Sequence, residues 1–154
     1  MAEEIERKFL VSNDSWRPGA GGTRFRQGYL STDPERTVRV RLEGERGVLT
    51  IKGLSRGIRR AEFEYPLPAA EAAVLLDTLC LQPLIEKTRY RVEHAGHIWE
   101  IDEFAGDNAG LVLAEVELSS ADEAVELPIW VGAEVSSDPR YYNANLIRHP
   151  FRRW

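Results

Sequence analysis

The sequence predicts a mainly β fold with a few flanking helices, an α+β arrangement whose strands pair antiparallel. Three observations carry this expectation: period-2 alternation of apolar and polar residues over eight segments, turn residues between them, and very short gaps. Gly44 to Gly47 and Ala95-Gly96 leave room only for hairpins, because a parallel pair needs a crossover of about a dozen residues or more. Sequential antiparallel pairing follows.

In chain order the strands are expected over 4–11, 23–30, 37–43, 47–53, 60–67, 84–94, 97–104 and 111–119. Their boundaries coincide with Arg17-Pro18-Gly19-Ala20-Gly21-Gly22, Asp33-Pro34, Gly44, Gly57, Gly96 and Gly106-Asp107-Asn108. Three stretches read as helices. Ala69 to Leu81 is rich in Ala and Leu, begins after Pro68 and stops at Gln82-Pro83. Ser120 to Glu126 opens with Ser120 and Glu123 at capping-box spacing, and Asp138-Pro139 precedes a short helix over Arg140 to Ile147.

The chain has 154 residues, 43% of them hydrophobic and 29% charged, which suits one globular domain over 1–154. No apolar run approaches the length of a membrane span, and the opening MAEEIERKFL carries acids where a secretion signal needs a basic start. A cytoplasmic protein without membrane contact is expected. A net charge of −5 argues against a broad basic face for nucleic acid. Cys80, the lone cysteine, lies in an apolar run and reads as a buried structural thiol.

The charges recur at a spacing of two, which places both members of a pair on one face of a strand. Glu4, Glu6 and Lys8 share a face, as do Arg24 and Arg26, Arg39 and Arg41, Glu62 and Glu64, Lys87, Arg89 and Arg91, Glu100 and Asp102, and Glu115 and Glu117. Lys52 stands alone. Two architectures fit. In one, the apolar faces form a core and the charges are solvated; in the other, the sheet closes with the charges inside and its apolar exterior covered by helices or a partner subunit, so that a homodimer is compatible. Like charges set side by side are destabilising on a plain surface, so doublets segregated by sign pull toward the second without excluding the first.

Clustered carboxylates suit hard cations such as Mg²⁺ or Mn²⁺, while converging Lys and Arg match phosphate oxygens. Together they could support phosphoryl transfer to water with no protein nucleophile. The histidines His94, His97 and His149 lack zinc-like grouping, and no P-loop or G-x-S-x-G sequence is present.

Glu4-Ile5-Glu6-Arg7-Lys8 matches the ExExK signature of the CYTH superfamily, the triphosphate tunnel metalloenzymes. Further stretches resemble its short bacterial members in order: Arg26-Gln27-Gly28-Tyr29-Leu30, Val38-Arg39-Val40-Arg41, Leu49-Thr50-Ile51-Lys52, Glu62-Phe63-Glu64, Glu86-Lys87-Thr88-Arg89-Tyr90, Glu100-Ile101-Asp102, Glu115-Val116-Glu117-Leu118 and Asp138-Pro139-Arg140-Tyr141. Loop 12–22 and the tail after Ile147 match poorly.

The resemblance implies a closed eight-stranded antiparallel β-barrel forming a tunnel, with helices outside. It also implies that Glu4, Glu6, Glu115 and Glu117 are metal-binding and catalytic acids, with Lys8, Arg39, Arg41, Lys52, Lys87 and Arg89 binding the triphosphate and Lys8 catalytic as well. Glu62, Glu64 and Asp102 match further tunnel acids, and Tyr29 matches a tyrosine that helps close one mouth, its hydroxyl expected near Lys87. Asn143 lacks the charge that some relatives carry in the terminal segment. The activity implied is hydrolysis of a triphosphate, inorganic tripolyphosphate first, with Mg²⁺ or Mn²⁺. Adenylate cyclase of class IV, nucleoside or thiamine triphosphatase, and a polyphosphate-binding module without turnover are the alternatives.

Overall fold

Eight strands form where the alternation places them in the computed structural model, which describes residues 2–154. They are β1 (Glu3–Val11), β2 (Gly22–Ser31), β3 (Arg36–Glu43), β4 (Arg46–Gly53), β5 (Arg59–Leu67), β6 (Ile85–His94), β7 (His97–Phe104) and β8 (Val112–Glu117). Their order in the sheet is β5-β4-β3-β2-β6-β7-β8-β1, and β1 also pairs with β5. The sheet therefore closes into an eight-stranded antiparallel barrel, with no free edge between its first and last strands.

The closing seam is short, joining Glu3 to Ala61, Glu4 to Arg60 and Ile5 to Arg59. Beyond it a ninth strand, β9 (Val131–Glu134), takes over the same edge of β1. The hydrogen bonds show this. Glu6 N–H donates to Ile58 O at 3.3 Å and Lys8 O accepts from Val135 N–H at 2.8 Å, while Ile5 O on the opposite edge accepts from Leu118 N–H at 2.8 Å. Four residues with no usable alternation form β9 only because β1 leaves backbone groups there to satisfy.

Three apolar clusters surround and plug the barrel. Outside, α1 (Ala69–Thr78) buries Ala72 and Leu76 against Val40 and Cys80. Elsewhere on the exterior, Trp16, Leu118 and Trp130 cover Ile5, Phe9, Trp99, Ile101 and Val116. The third cluster lies partly inside. Tyr29, Ile85, Phe104 and Leu113 share strand faces with inward-facing polar residues, and they pack against Tyr141, Leu146 and Ile147 of the C-terminal segment. That segment consists of a 3-10 turn, Pro139–Tyr141, and a four-residue helix, α2 (Asn143–Leu146). It fills one end of the barrel.

The helical expectations need three corrections. Helix α1 ends at Thr78 rather than Leu81; Leu79 and Cys80 N–H both turn back to Leu75 O, and the Gln82 amide caps Leu76 O at 3.1 Å. Ser120 to Glu126 is not helical. Glu123 does reach back, but its carboxylate accepts from Ser119 N–H and meets the His97 ring, so it ties the loop to β7 and leaves a single turn. The segment over Arg140 to Ile147 is interrupted at Tyr142, whose extended backbone (φ −71, ψ 130) separates the 3-10 turn from α2. No helix among the described residues is long and apolar enough to cross a membrane.

Candidate active site

Period-2 geometry sends one face of every barrel strand inward, and the inward faces enclose a cavity of about 580 Å³, within the usual range for small-molecule sites. Glu4, Glu6, Lys8, Tyr29, Arg39, Arg41, Lys52, Glu62, Glu64, Lys87, Arg89, Glu115 and Glu117 all line it. Strand order sorts them by sign. Neighbouring β8, β1 and β5 carry Glu115, Glu117, Glu4, Glu6, Glu62 and Glu64, whereas β3 and β6, joined through β2, carry Arg39, Arg41, Lys87 and Arg89. An acidic wall thus faces a cationic wall across the ring, with Lys8 and Arg60 set among the acids and Lys52 of β4 paired to Glu4 and Glu62.

On the acidic wall the carboxylates crowd one another. Glu6 lies opposite Glu117 and Lys8 opposite Glu115 in the β1–β8 register. Burial, with the charges of Glu115 and Glu4, pushes the Glu6 carboxyl well above its ordinary value. Burial and a hydrogen bond with Glu4 raise Glu62 to about 7. Burial also opposes ionisation of Glu115, but Lys8 and Arg89 outweigh it and bring that group down to about 2. Glu4 resembles Glu115, since Lys52, 2.7 Å from its Oε1, overcomes burial and lowers it.

This donor set fits a hard divalent cation, whose charge would relieve the repulsion that now holds protons between carboxyls. Among the described residues no three acidic, His or Cys side chains draw together into a ready cage. Mg²⁺ does not require one, because it keeps several waters and takes one or two carboxylates.

The cationic wall is rigid. Arg89 makes a fork to Asp102, Nε to Oδ1 at 2.7 Å and Nη2 to Oδ2 at 2.8 Å, and Lys87 Nζ lies 2.9 Å from Oδ2 of the same carboxylate. Burial alone would push Asp102 up, but Arg89 and Lys87 hold it well below the usual carboxylate range. Burial pushes Lys87 down to about 7 despite Asp102, with Arg89 and Arg41 adding to the effect. Arg41 falls to about 10 through burial and the charges of Arg39 and Arg89. Arg39 Nε is buried without a partner among the described residues, a donor left over on the cavity wall.

Several sequence expectations change here. Asp102 does not line the cavity; at 1% exposure it sits behind Lys87 and Arg89 and holds them. The Arg24/Arg26 doublet points outward, to Glu86 and Asp77, because the inward face of β2 is the odd one: Phe25, Gln27 and Tyr29. Tyr29 lines the cavity at its filled end, but its hydroxyl accepts from Gln27 Nε2 at 3.4 Å and not from Lys87. Lys87 instead donates to Asn143 Oδ1 at 2.9 Å, and Lys8 Nζ donates to Tyr141 O at 3.1 Å. The C-terminal segment is therefore part of the site. Phe25, Gln27 and Asn143 were not among the expected site residues; Phe25 and Gln27 share the parity of Tyr29, Gln27 lies in a stretch that resembles the family, and Asn143 was noted only for lacking charge.

A family model for the CYTH domain matches residues 2–150. The chain belongs to the CYTH domain family. Within the family it is 47% identical over 154 residues to an inorganic triphosphatase of Acetivibrio thermocellus, covering 100% of this chain and 99% of that one. An inorganic triphosphatase of Nitrosomonas europaea is 36% identical over 148 residues, covering 93% and 95%. A crystal structure of an inorganic triphosphatase superposes with a TM-score of 0.68 at 35% identity, covering 96% of this chain and 95% of its own. The CYTH barrel and its order of strands thus place the thirteen lining residues named above on the cavity of a known fold.

Proposed function

We propose that this CYTH protein is an enzyme that hydrolyses a triphosphate, inorganic tripolyphosphate to pyrophosphate and phosphate, with a bound divalent cation. The observation that carries the reading is the opposition of an acidic wall on β8, β1 and β5 to a cationic wall on β3 and β6. The likeness to inorganic triphosphatases over the full chain supports it.

Arg39, Arg41, Lys87 and Arg89 bind the phosphate chain from one side, with Lys8 and Lys52 reaching it from the other. Carboxylates among Glu4, Glu6, Glu115 and Glu117 would hold Mg²⁺ or Mn²⁺, which would supply charge neutralisation and make a water bound to it more acidic. The oxygen of a water in the cavity forms a new bond to a terminal phosphorus as the P–O bond to the bridging oxygen breaks; pyrophosphate leaves with that electron pair, and the proton that the water gives up passes to a carboxylate of the acidic wall. Asp102 keeps Lys87 and Arg89 aimed throughout, and the filled barrel end keeps bulk water from that side of the phosphates. Glu62 and Glu64 extend the acidic wall, and the apolar setting of Tyr29 fixes its ring at the closed end.

The test is phosphate release from tripolyphosphate, ATP and thiamine triphosphate against a series of divalent cations, with cyclic AMP assayed from ATP. We expect tripolyphosphate to give the highest kcat/KM, with no release in chelator. Glu4→Gln and Glu117→Gln should each lose at least about a hundredfold in turnover while remaining folded at the assay temperature, in line with the usual worth of electrostatic groups in a catalytic site. Cyclic AMP formation would make it a cyclase, binding without release under any cation would make it a binding module, and near-native rates in both variants would end the metal assignment.

A further inference from the structure

Lys87 enters the cavity with its hydrogens already divided. In its charged form, which Asp102 favours, the Lys87 ammonium has three N–H donors and no acceptor. One donor goes to Asp102 Oδ2 and one to Asn143 Oδ1, each at 2.9 Å, leaving the third for an occupant of the cavity that Lys87 lines. Because Nζ can only donate, the Asn143 atom facing it is the carbonyl oxygen. The same oxygen accepts a second bond from Gln27 Nε2 at 3.0 Å. Two donors on Oδ1 turn the Nδ2 amino group the other way, and Asn143 also lines the cavity.

Gln27 is the support behind this arrangement. It is 0% exposed, its Nε2 reaches both Asn143 Oδ1 and the Tyr29 hydroxyl, and its Oε1 has no partner among the described residues. Beyond these side chains the barrel is filled by Ile85, Phe104, Leu113 and Leu146. That side of the barrel end is packed with apolar side chains.

We propose that Asn143 binds substrate at the closed end of the cavity, donating through Nδ2 to an unesterified terminal phosphoryl group while Gln27 holds its amide in register. The inference deepens the triphosphatase reading and rests on it. A terminal phosphoryl has three unshared oxygens, and only its fourth oxygen continues the chain. That geometry suits a pocket wall lined by donors, here Nδ2 of Asn143 and the third hydrogen of Lys87. An amide adds a donor without adding charge beside Lys87, Arg89 and Arg41, which already repel one another. Substrate then enters phosphoryl end first.

Asn143→Asp separates this role from simple support of Lys87. Aspartate keeps the shape and the acceptor that Lys87 and Gln27 use, but replaces the donor with an anion. We expect N143D to raise KM for tripolyphosphate about ten- to hundredfold, as loss of a hydrogen bond to a charged group does. It should also shrink the thermal shift that tripolyphosphate gives in chelator, with no fall in unliganded Tm. N143A should raise KM less, since it removes the donor without repulsion. Cyclic trimetaphosphate, which has three phosphoryls but no terminus, should give a thermal shift that does not depend on Asn143.

Wild-type KM and thermal shift in N143D overturn the inference and leave the triphosphatase reading standing; if N143D does not fold, wild-type KM in N143A does the same. Equal dependence of trimetaphosphate and tripolyphosphate on Asn143 overturns the terminal assignment. Wild-type protein that shifts with tripolyphosphate but releases no phosphate defeats the triphosphatase reading, while the shift in N143D still decides the role of Asn143. If wild-type protein neither shifts nor turns over, both readings fall.

Discussion

Phe25 stands between two guanidinium groups, with the Cζ atoms of Arg41 and Arg89 each 4.9 Å from its ring centroid. Its ring lets two like charges share a wall, each facing the negative π surface in place of the other. Such arrangements were only partly legible in the sequence. The doublets announced Arg39/Arg41 and Glu115/Glu117, since strand parity is enough to put them on one face. Asp102 had the right parity too, but parity cannot tell a wall residue from the carboxylate beneath it. Acidic crowding gives the prediction at this scale. Glu62 is raised to about 7 by burial, then by its hydrogen bond with Glu4 and that group's charge. A raised carboxyl favours the proton-bound fold, so its contribution is complete below the unfolded value of 4.5 and is lost as pH rises through about 7. In chelator, Tm of the native protein should fall over that window more steeply than Tm of Glu62→Gln. Parallel Tm profiles for the two proteins would show that Glu62 takes up no proton on folding.

Elements fold here as their ends and neighbours dictate. The barrel strands were legible because alternation, glycine turns and short gaps agree with one another, a consistency that leaves little for tertiary context to override. Strand β9 was not, because Val131-Gly132-Ala133-Glu134 has no pattern of its own and extends only along the edge of β1 that β5 vacates. The expected helix after Ser120 failed for a comparable reason, its Glu123 being engaged by Ser119 and His97. Gly47 shows how tightly α1 is laid against the barrel. A Cβ there would lie 2.6 Å from Leu67 O and 3.1 Å from Ala72 Cβ, and the first of these is backbone that cannot swing aside. Gly47→Ala should therefore lower stability by about 1–3 kcal/mol, the usual cost of overpacking, measured by urea denaturation. Leu146→Ala, at 0% exposure in the plug, should cost about 2–5 kcal/mol and also raise KM, because α2 carries Asn143. A purely structural plug would lower stability and leave KM alone.

At the scale of the whole molecule the barrel is held shut by the seam between β1 and β5, three residue pairs long. Glu4 on one side of that seam and Arg60 and Glu62 on the other all line the cavity. Hydrogen exchange should find the amides of Glu3 to Ile5 and Arg59 to Ala61 less protected than those of the eight-pair ladder between β3 and β4. Tripolyphosphate with Mg²⁺ should slow them, and seam amides indifferent to both would place the ligand elsewhere. Closure of the sheet was implied by resemblance, while spacing left it open, since alternation reads the same in a barrel and in a flat sheet with a solvated face. The filled end was legible only through the mouth that Tyr29 was expected to help close; the plug itself was not, for it depends on Tyr141, Leu146 and Ile147 returning to Tyr29, Phe104 and Leu113. That return gives the traffic through the enzyme an order. A fragment lodged against the plug lies behind the rest of the phosphate chain, so the outer fragment must depart before the inner one can move. The inner fragment, last to leave, competes with the next substrate for the vacated space and should inhibit competitively. The outer one, released while its partner is still in place, should inhibit noncompetitively, and the two patterns together would identify which fragment had been carried in first.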